Sequence, residues 1–214
     1  MSEIIEYGLI FLAIVFAITV HEFAHGLTSV MFGDPTPKLE KRLSLNPIKH
    51  LDIVGTLCLL FFQFGWGKPV RVDLSYYKNP KQGMFYVSLA GPLSNFIFGF
   101  IAMLILSIFT NNTTIYVGSF NHGVYLFLYY LVIINIGLAV FNLIPIPPLD
   151  GSKMLGAFLS EEKYYKLLRF EQYGIIVLLL LLYIPFFNDS LYKIQIGVFD
   201  LYQEIVYKIL GYSY

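Results

Sequence analysis

Long apolar runs, rather than alternating patterns, dominate the chain. Residues 7–32 contain only three ionisable side chains besides Tyr7, and residues 84–109 contain no charged side chain. A third apolar run covers residues 124–143, and a shorter one covers residues 172–187. Because an α-helix needs about 20 apolar residues to cross the hydrocarbon core of a bilayer, these runs predict four transmembrane helices.

The connecting regions predict smaller elements. Residues 51–64 include an apolar stretch that is too short to span, which favours a re-entrant or interfacial segment. Residues 68–73 alternate polar and apolar side chains, which is typical of a short strand. The tail at residues 191–210 mixes apolar with charged residues and predicts a helix that lies in the membrane interface.

A cluster of prolines ends the third apolar run. Pro145, Pro147 and Pro148 lie within four positions and cannot continue an α-helix. Non-helical backbone at membrane depth is tolerated only where it is buried in protein or lines a wet cavity. The break therefore predicts an interior site.

Composition agrees with this reading. The chain is 57% hydrophobic and 13% charged, which indicates an integral membrane protein. Its formal net charge is zero and its basic residues form no compact patch, so we expect no nucleic-acid partner. We predict an all-α polytopic membrane protein: about four transmembrane helices, a re-entrant segment, a small β element and a C-terminal interfacial helix. Residues 1–214 would form one membrane-embedded domain, and the first apolar run, which lacks signal-peptide features, would remain in the mature protein.

Basic residues set the expected orientation in a cell membrane. Eight Lys and Arg residues lie between the first and second predicted spans, four lie between the third and the fourth, and none lies between residues 111 and 123. By the positive-inside rule, both basic regions face the cytoplasm. We therefore expect the polar residues near the end of the first span, and those after the third, to lie on the cytoplasmic side of this multi-pass protein.

The most specific chemical pattern is His21-Glu22-Phe23-Ala24-His25 in the first span. On a helix, His21 and His25 share one face and can bind one metal ion while Glu22 lies beside them, the arrangement of a zinc hydrolase. The alternative is a solvated helix face. Ionisable residues are costly inside a bilayer and mark function there, so we favour the zinc interpretation.

A catalytic zinc takes three protein ligands and keeps its fourth position for water. The carboxylates nearest to membrane segments are those of Asp52, Asp73, Asp150 and Glu171. Among these four, Asp150 alone directly follows a broken helix end at membrane depth, which favours it as the third ligand. The alternative is that Asp150 caps the next helix or forms an Asp-Gly turn.

Three other polar residues have less specific interpretations. We expect His50 to be an interfacial, solvated histidine, and His122 to lie on the opposite side of the membrane from the metal. For Asn95, two interpretations are equally favoured: it lines the site, or it forms a hydrogen bond with a neighbouring helix.

Three motifs, in this order and spacing, resemble the site-2 protease family of intramembrane zinc metalloproteases, also called M50-like. They are His21-Glu22-Phe23-Ala24-His25, Ala90-Gly91-Pro92-Leu93-Ser94-Asn95, and Asn142-Leu143-Ile144-Pro145 through Leu149-Asp150-Gly151. The resemblance covers nearly the whole chain. It implies a three-helix core in which His21, His25 and Asp150 bind one Zn²⁺ per chain and Glu22 is the catalytic acid/base.

The resemblance implies further roles. Asn142 matches an Asn that positions the scissile peptide or its oxyanion, and the strand containing Val70, Arg71 and Val72 would guide substrate. The chain shows no PDZ, CBS or nucleotide-binding domain, so it resembles the minimal, core-only type and we expect a prokaryotic origin.

The predicted function is hydrolysis of peptide bonds in or near the transmembrane segments of membrane-protein substrates, within the lipid bilayer. A transmembrane substrate hides its peptide bonds in helical hydrogen bonds, so it would unwind and pair with the edge of the predicted strand. Two alternatives are a catalytically silent relative that binds membrane proteins and a metal-ion transporter. A transit site for metal ions gives no reason for Glu22.

Overall fold

Helices make up most of the computed structural model, which describes the backbone of residues 2–62 and 65–212. Three are long and apolar enough to cross a membrane: α1 (Glu3–Met31), α4 (Pro80–Asn112) and α5 (Phe120–Asn142). The other α-helices are α2 (Thr36–Leu39), α3 (Ile53–Phe62), α6 (Asp150–Gly156), α7 (Glu161–Leu182) and α8 (Pro185–Leu210), and 3-10 turns occupy Pro47–Lys49 and Leu74–Tyr76. The predicted all-α polytopic fold is confirmed, and the first three predicted spans fall on α1, α4 and α5.

The fourth predicted span is not one straight helix. Residues 172–187 fall on the end of α7, a break at residues 183 and 184, and the start of α8. The segments Ile176–Leu182 and Pro185–Leu210 meet at 83° and are long and apolar enough for a span only as a bent pair. Pro185 accounts for the break, because its missing N–H and its ring prevent α7 from continuing through it.

The predicted strand at residues 68–73 is wrong. In the described part of the chain, β-pairing is limited to one isolated antiparallel bridge between Leu51 and Gly67. Side chains from elsewhere take up backbone groups that a strand would need. Arg42 donates to the carbonyl of Lys68, and Asp34 accepts from the N–H of Asp73.

Within the predicted re-entrant segment at residues 51–64, the short apolar stretch forms the helix α3, which begins at Ile53. Residues 63 and 64 of that segment lie outside the described residues. Gly55 lets this helix approach the chain that follows it. A Cβ at Gly55 would lie 2.1 Å from the carbonyl oxygen of Trp66. Any larger residue here would push α3 away from that backbone.

The chain forms two compact units. The first comprises Met1–Ala17, Asn95–Phe141 and Leu182–Tyr214. Its core is an apolar cluster whose buried members are Ala13, Ala102, Met103, Leu106, Leu128, Leu131, Val132, Ile136, Val140, Tyr202 and Val206. The tail that was expected to lie in the membrane interface is helical, and it contributes Tyr202 and Val206 to this core. Packing within the first unit therefore buries part of the apolar face of the tail helix.

A buried pair of amides also lies in the first unit. The Asn95 Nδ2 donates to Asn135 Oδ1 at 2.7 Å and to the Ala17 carbonyl at 3.0 Å, and both asparagines are fully buried. Asn135 Nδ2 in turn donates to the Leu131 carbonyl. Of the two interpretations of Asn95, the structure supports hydrogen bonding between helices, which satisfies amides that would be costly in hydrocarbon.

The second unit comprises Ile18–Ser94 and Asn142–Leu181. Contrary to expectation, its His50 is fully buried rather than solvated. The His50 Nε2 forms a hydrogen bond with the Ser44 carbonyl at 2.7 Å. The backbone carbonyl of His50 accepts a hydrogen bond from the Lys68 N–H at 2.8 Å. The loop that was expected at the interface thus has a core of its own.

Asp34 is the centre of a hydrogen-bond cluster just after α1. Its carboxylate is fully buried and accepts from the Ser29 hydroxyl at 2.7 Å, the Thr36 N–H at 2.8 Å and the Asp73 N–H at 2.8 Å. Burial alone would raise the pKa of Asp34. The hydrogen bonds from Thr36, Ser29 and Asp73 outweigh that effect and lower the pKa below its usual 3.8.

We predict that Asp34→Asn destabilises the protein by about 1–3 kcal/mol near neutral pH, because a buried charge-assisted cluster loses its acceptor. The folded pKa of Asp34 lies below the unfolded value of 3.8, so its stabilisation is complete above about pH 4 and is lost as pH falls through the folded pKa. Thermal unfolding of both proteins in detergent between pH 7 and pH 3 should show their difference narrowing. A constant difference would contradict this.

Candidate metal centre and active site

The second unit brings together two imidazoles one turn apart on α1. His21 and His25 are 6% and 9% exposed, and their Nε2 atoms lie 3.0 Å from each other. This convergence follows from the helix, since positions i and i+4 lie on one face. Two buried imidazole nitrogens at this separation form half of a metal site.

A carboxylate from a distant part of the chain completes the cluster. Asp150, the first residue of α6, is 6% exposed. Its Oδ2 lies 3.0 Å from the His21 Nε2 and 3.1 Å from the His25 Nε2. Its Oδ1 lies 3.8 Å from the Lys153 Nζ. The structure therefore brings all three predicted ligands to one point.

The glycine after Asp150 makes this placement possible. A Cβ at Gly151 would lie 2.3 Å from the Leu143 carbonyl oxygen and 2.5 Å from that of Ile144. Since α6 begins directly against this backbone, only glycine fits at its second position. The Asp-Gly pair is thus explained by close packing as well as by chemistry.

The geometry of the cluster suits zinc. Zinc binds nitrogen and oxygen ligands at 2.0–2.2 Å in a tetrahedron, which separates ligand atoms by roughly 3.3 Å. The three observed separations are 3.0–3.1 Å. In addition, the His25 Nδ1 lies 2.6 Å from the Val87 carbonyl. That carbonyl can only accept a hydrogen bond, so Nδ1 carries the hydrogen and the lone pair of His25 is on Nε2, where a metal would bind.

Gly91 of α4 lies against the two imidazoles. A Cβ at this position would lie 2.4 Å from the His25 Nε2 and 2.6 Å from the His21 Cε1. The Gly-Pro step of the second motif therefore serves the approach of α4 to the ligands. Pro92 follows within the same helix and is fully buried.

Glu22 lies beside the ligands in a cavity of about 230 Å³. Its Oε2 accepts a hydrogen bond of 2.7 Å from the Val70 N–H. His25 and Asp150 also line the cavity, and most of the remaining wall is apolar, formed by Pro69, Val70, Val72, Leu74, Met84, Val87, Pro147 and Leu167. A carboxylate beside a metal site in a largely apolar cavity has the arrangement of a general base.

The other predicted site residues lie in varied places. Val70 and Val72 line the cavity, whereas Arg71 is exposed and lies 3.6 Å from Glu40. Asn142 is the last residue of α5 and is not among the residues that line the cavity. Its role in positioning substrate stays a prediction.

The competing carboxylates have local structural roles. Asp52 accepts from the Gly55 N–H at 2.8 Å, and Asp73 accepts from the Ser75 N–H at 2.9 Å. Both act as helix caps. The side chain of Glu171 lies outside the described residues.

Sequence reasoning missed three features of the site. These are the hydrogen bond from the Val70 N–H, the acceptor carbonyl of Val87, and Arg42, which fixes the chain beside Val70. The first two are backbone groups and carry no residue-specific signal. From the sequence, Arg42 is only one of eight basic residues between the first and second predicted spans.

Comparison with known proteins agrees with this chemistry. Residues 107–184 match the model of peptidase family M50. The Bacillus subtilis protein "Putative zinc metalloprotease YwhC" is 37% identical over 174 residues, covering 81% of this chain and 80% of its own length. "Putative zinc metalloprotease Rip2" of Mycolicibacterium smegmatis is 28% identical, covering 86% of this chain and 70% of its own length.

A third relative is archaeal. "Zinc metalloprotease MJ0392" of Methanocaldococcus jannaschii is 29% identical over 165 residues, which cover 77% of this chain and 38% of that protein. No solved structure matches the chain.

We predict that Gly91→Ala lowers the zinc content of the purified protein at least fivefold, because the new methyl group would overlap the His25 and His21 rings. Metal analysis by mass spectrometry measures this, with helical content followed by circular dichroism. Gly8→Ala is the matched control, since a Cβ at Gly8 meets nothing within 4 Å. Full zinc content in Gly91→Ala would show that α4 does not constrain the ligands.

Proposed function

Because the chain belongs to peptidase family M50, we propose that it is a zinc-dependent endopeptidase that cleaves membrane-protein substrates in or near their transmembrane segments. The observation that carries the proposal is the convergence of Asp150 of α6 with His21 and His25, which lie beside Glu22 on α1, a helix long enough to cross a membrane. The membrane spans and the family indicate a multi-pass membrane metalloprotease. The intramembrane substrate is the further step that we propose.

In this proposal His21, His25 and Asp150 hold one zinc ion per chain. When bound, zinc supplies a Lewis acid that polarises the scissile carbonyl and makes water more acidic. Val87 fixes the ring orientation of His25 through Nδ1. The surrounding apolar wall of the cavity strengthens each of these electrostatic interactions.

Glu22 would move the proton. Its Oε2 is held by the Val70 N–H, which leaves Oε1 to accept a proton from water as the water oxygen attacks the carbonyl carbon. As the C–N bond breaks, Glu22 gives that proton to the leaving amine nitrogen. The products are a carboxylic acid and an amine, and Glu22 returns to its starting charge.

The hydrogen bonds of a helix limit the form of the substrate. An intact transmembrane helix holds its peptide groups in i to i−4 hydrogen bonds, so the scissile peptide must leave the helix before water can attack it. We therefore propose that a transmembrane substrate enters unwound, in an extended form. Asn142 would position the scissile peptide or its oxyanion.

The distribution of basic residues supports a location for this chemistry. Lys and Arg cluster between α1 and α4 and after α5, and are absent from residues 111–123. We propose that the site opens toward the cytoplasmic side of the cell membrane. The bacterial and archaeal relatives support a prokaryotic origin.

Glu22→Gln should retain zinc and lose at least 100-fold of the cleavage rate, because the amide cannot accept the proton of the attacking water. The assay reconstitutes wild type and variant with a single-span membrane substrate and with a soluble peptide of the same cleavage sequence. Wild type is expected to cleave the membrane substrate faster. Equal cleavage by Glu22→Gln would exclude Glu22 as the acid/base, and preference for the soluble peptide would contradict the intramembrane substrate.

Asp150→Ala should lower zinc occupancy at least tenfold, since it removes one of three ligands. Asp52→Ala is the matched control, because Asp52 is also an aspartate near a membrane segment but caps α3 instead. Zinc is measured after dialysis against a weak chelator. If occupancy stays equal in Asp150→Ala, the third ligand lies elsewhere.

A further inference from the structure

The carboxylate of Glu22 is tied to the backbone of a segment 48 residues further along the chain. The Val70 N–H donates to Oε2 at 2.7 Å. A glutamate side chain on a helix has three rotatable bonds, and this hydrogen bond selects one orientation in which Oε1 remains for water. The backbone of the 68–73 segment is therefore part of the surroundings of the proposed base.

The N-terminal end of that segment is fixed by Arg42. The Arg42 Nη2 donates to the Lys68 carbonyl at 2.7 Å and to the Pro69 carbonyl at 3.0 Å, and Arg42 is 8% exposed. A buried guanidinium that bonds two successive carbonyls fixes the peptide planes to which they belong. The second of these planes contains both the Pro69 carbonyl and the Val70 N–H.

The C-terminal end is fixed by Asp34, through the Asp73 N–H at 2.8 Å. Between the two ends, the Val70 side chain is 8% exposed and packs on Gly26 of α1, where a Cβ would lie 3.3 Å from the Val70 Cγ1. Gly26 follows His25 directly. The segment is thus held against the same turn of α1 that carries the proposed catalytic residues.

We infer that Val70, through its N–H, and Arg42, through its hold on Lys68 and Pro69, are positioning residues for Glu22. This inference rests on the proposed role of Glu22 as acid/base. It also separates two roles of the 68–73 segment. A segment that pairs with substrate affects substrate binding, whereas a segment that orients the base affects the chemical step.

Commitment of the Val70 N–H to Glu22 favours the second role. That N–H lies in the middle of the segment and bonds to Oε2 rather than pointing toward a neighbouring strand. Pro69 has no N–H, and the Asp73 N–H is bound to Asp34. Three positions of the proposed pairing edge therefore offer no donor to a substrate.

The test compares Val70→Pro with Val70→Ala. Both lose the valine side chain, but only proline also loses the N–H. We expect kcat of Val70→Pro to be about tenfold lower than that of Val70→Ala, the effect of removing one hydrogen bond to a charged group, with KM of the two variants equal within a factor of two. Zinc content is measured on each sample.

A second variant leaves Val70 unaltered. Arg42→Ala should lower kcat by a similar factor without changing zinc content, and Arg42→Lys, which can still donate to one carbonyl, should recover part of the loss. If Val70→Pro loses zinc or fails to fold, the Arg42 variants alone test the positioning role. Thermal unfolding of each variant identifies samples that have lost the fold.

The outcomes distinguish this inference from the proposed function. If Glu22→Gln is inactive but Val70→Pro and Val70→Ala share one kcat, and Arg42→Ala keeps the wild-type kcat, the positioning role is wrong and the acid/base role stands. A higher kcat in Val70→Pro than in Val70→Ala also overturns the inference, because the N–H would then restrain the base. An active Glu22→Gln removes the proposed function itself.

Discussion

Three atoms with lone pairs, two imidazole nitrogens and one carboxylate oxygen, lie 3.0–3.1 Å apart in a buried place, and the second unit is built around that contact. A metal ion at the centre of this cluster would be bound by all three atoms, and its positive charge would stabilise the buried carboxylate. The same contact requires neighbouring backbone to come very close, which explains why Gly91 and Gly151 lie where they do.

The sequence predicts the proposed ligands because each is marked by local chemistry. The helical spacing of His21 and His25 is visible in five residues, and the proline cluster before Asp150 shows where a helix must end at membrane depth. The first three spans were equally accessible, since a long apolar run has few alternatives. In each case the determining interaction is local in the sequence.

The two wrong predictions, the strand at residues 68–73 and the solvated His50, concern segments whose structure depends on residues far away in the sequence. Alternation at residues 68–73 favours a strand, but Arg42 and Asp34, 26 and 39 residues away from their partners, take the backbone groups that a ladder would use. His50 has charged neighbours in the sequence, which favours an interfacial position, yet the folded chain buries it fully. Sequence patterns report how a segment behaves alone, and these segments are shaped by distant partners.

The first unit also contains a buried polar contact, the hydrogen bond between the amides of Asn95 and Asn135. Asn95 and Asn135 lie on two helices that can cross a membrane, and the Asn95 Nδ2 donates a hydrogen bond to the Asn135 Oδ1. Ala17 provides a further acceptor from α1. A polar contact of this kind fixes the rotation of one helix against another in an otherwise apolar cluster, where many rotations would pack with similar energy.

The proposed ligands His25 and Asp150 are separated by 125 positions in the chain. At synthesis rates of about 5–20 residues per second, roughly 6–25 seconds pass between the emergence of these two residues from the ribosome. During that interval α1 carries two imidazoles without their carboxylate partner. If these residues hold the metal as proposed, complete metal loading follows the synthesis of α4 and α5, and a nascent chain gains the proposed activity only after those helices have formed.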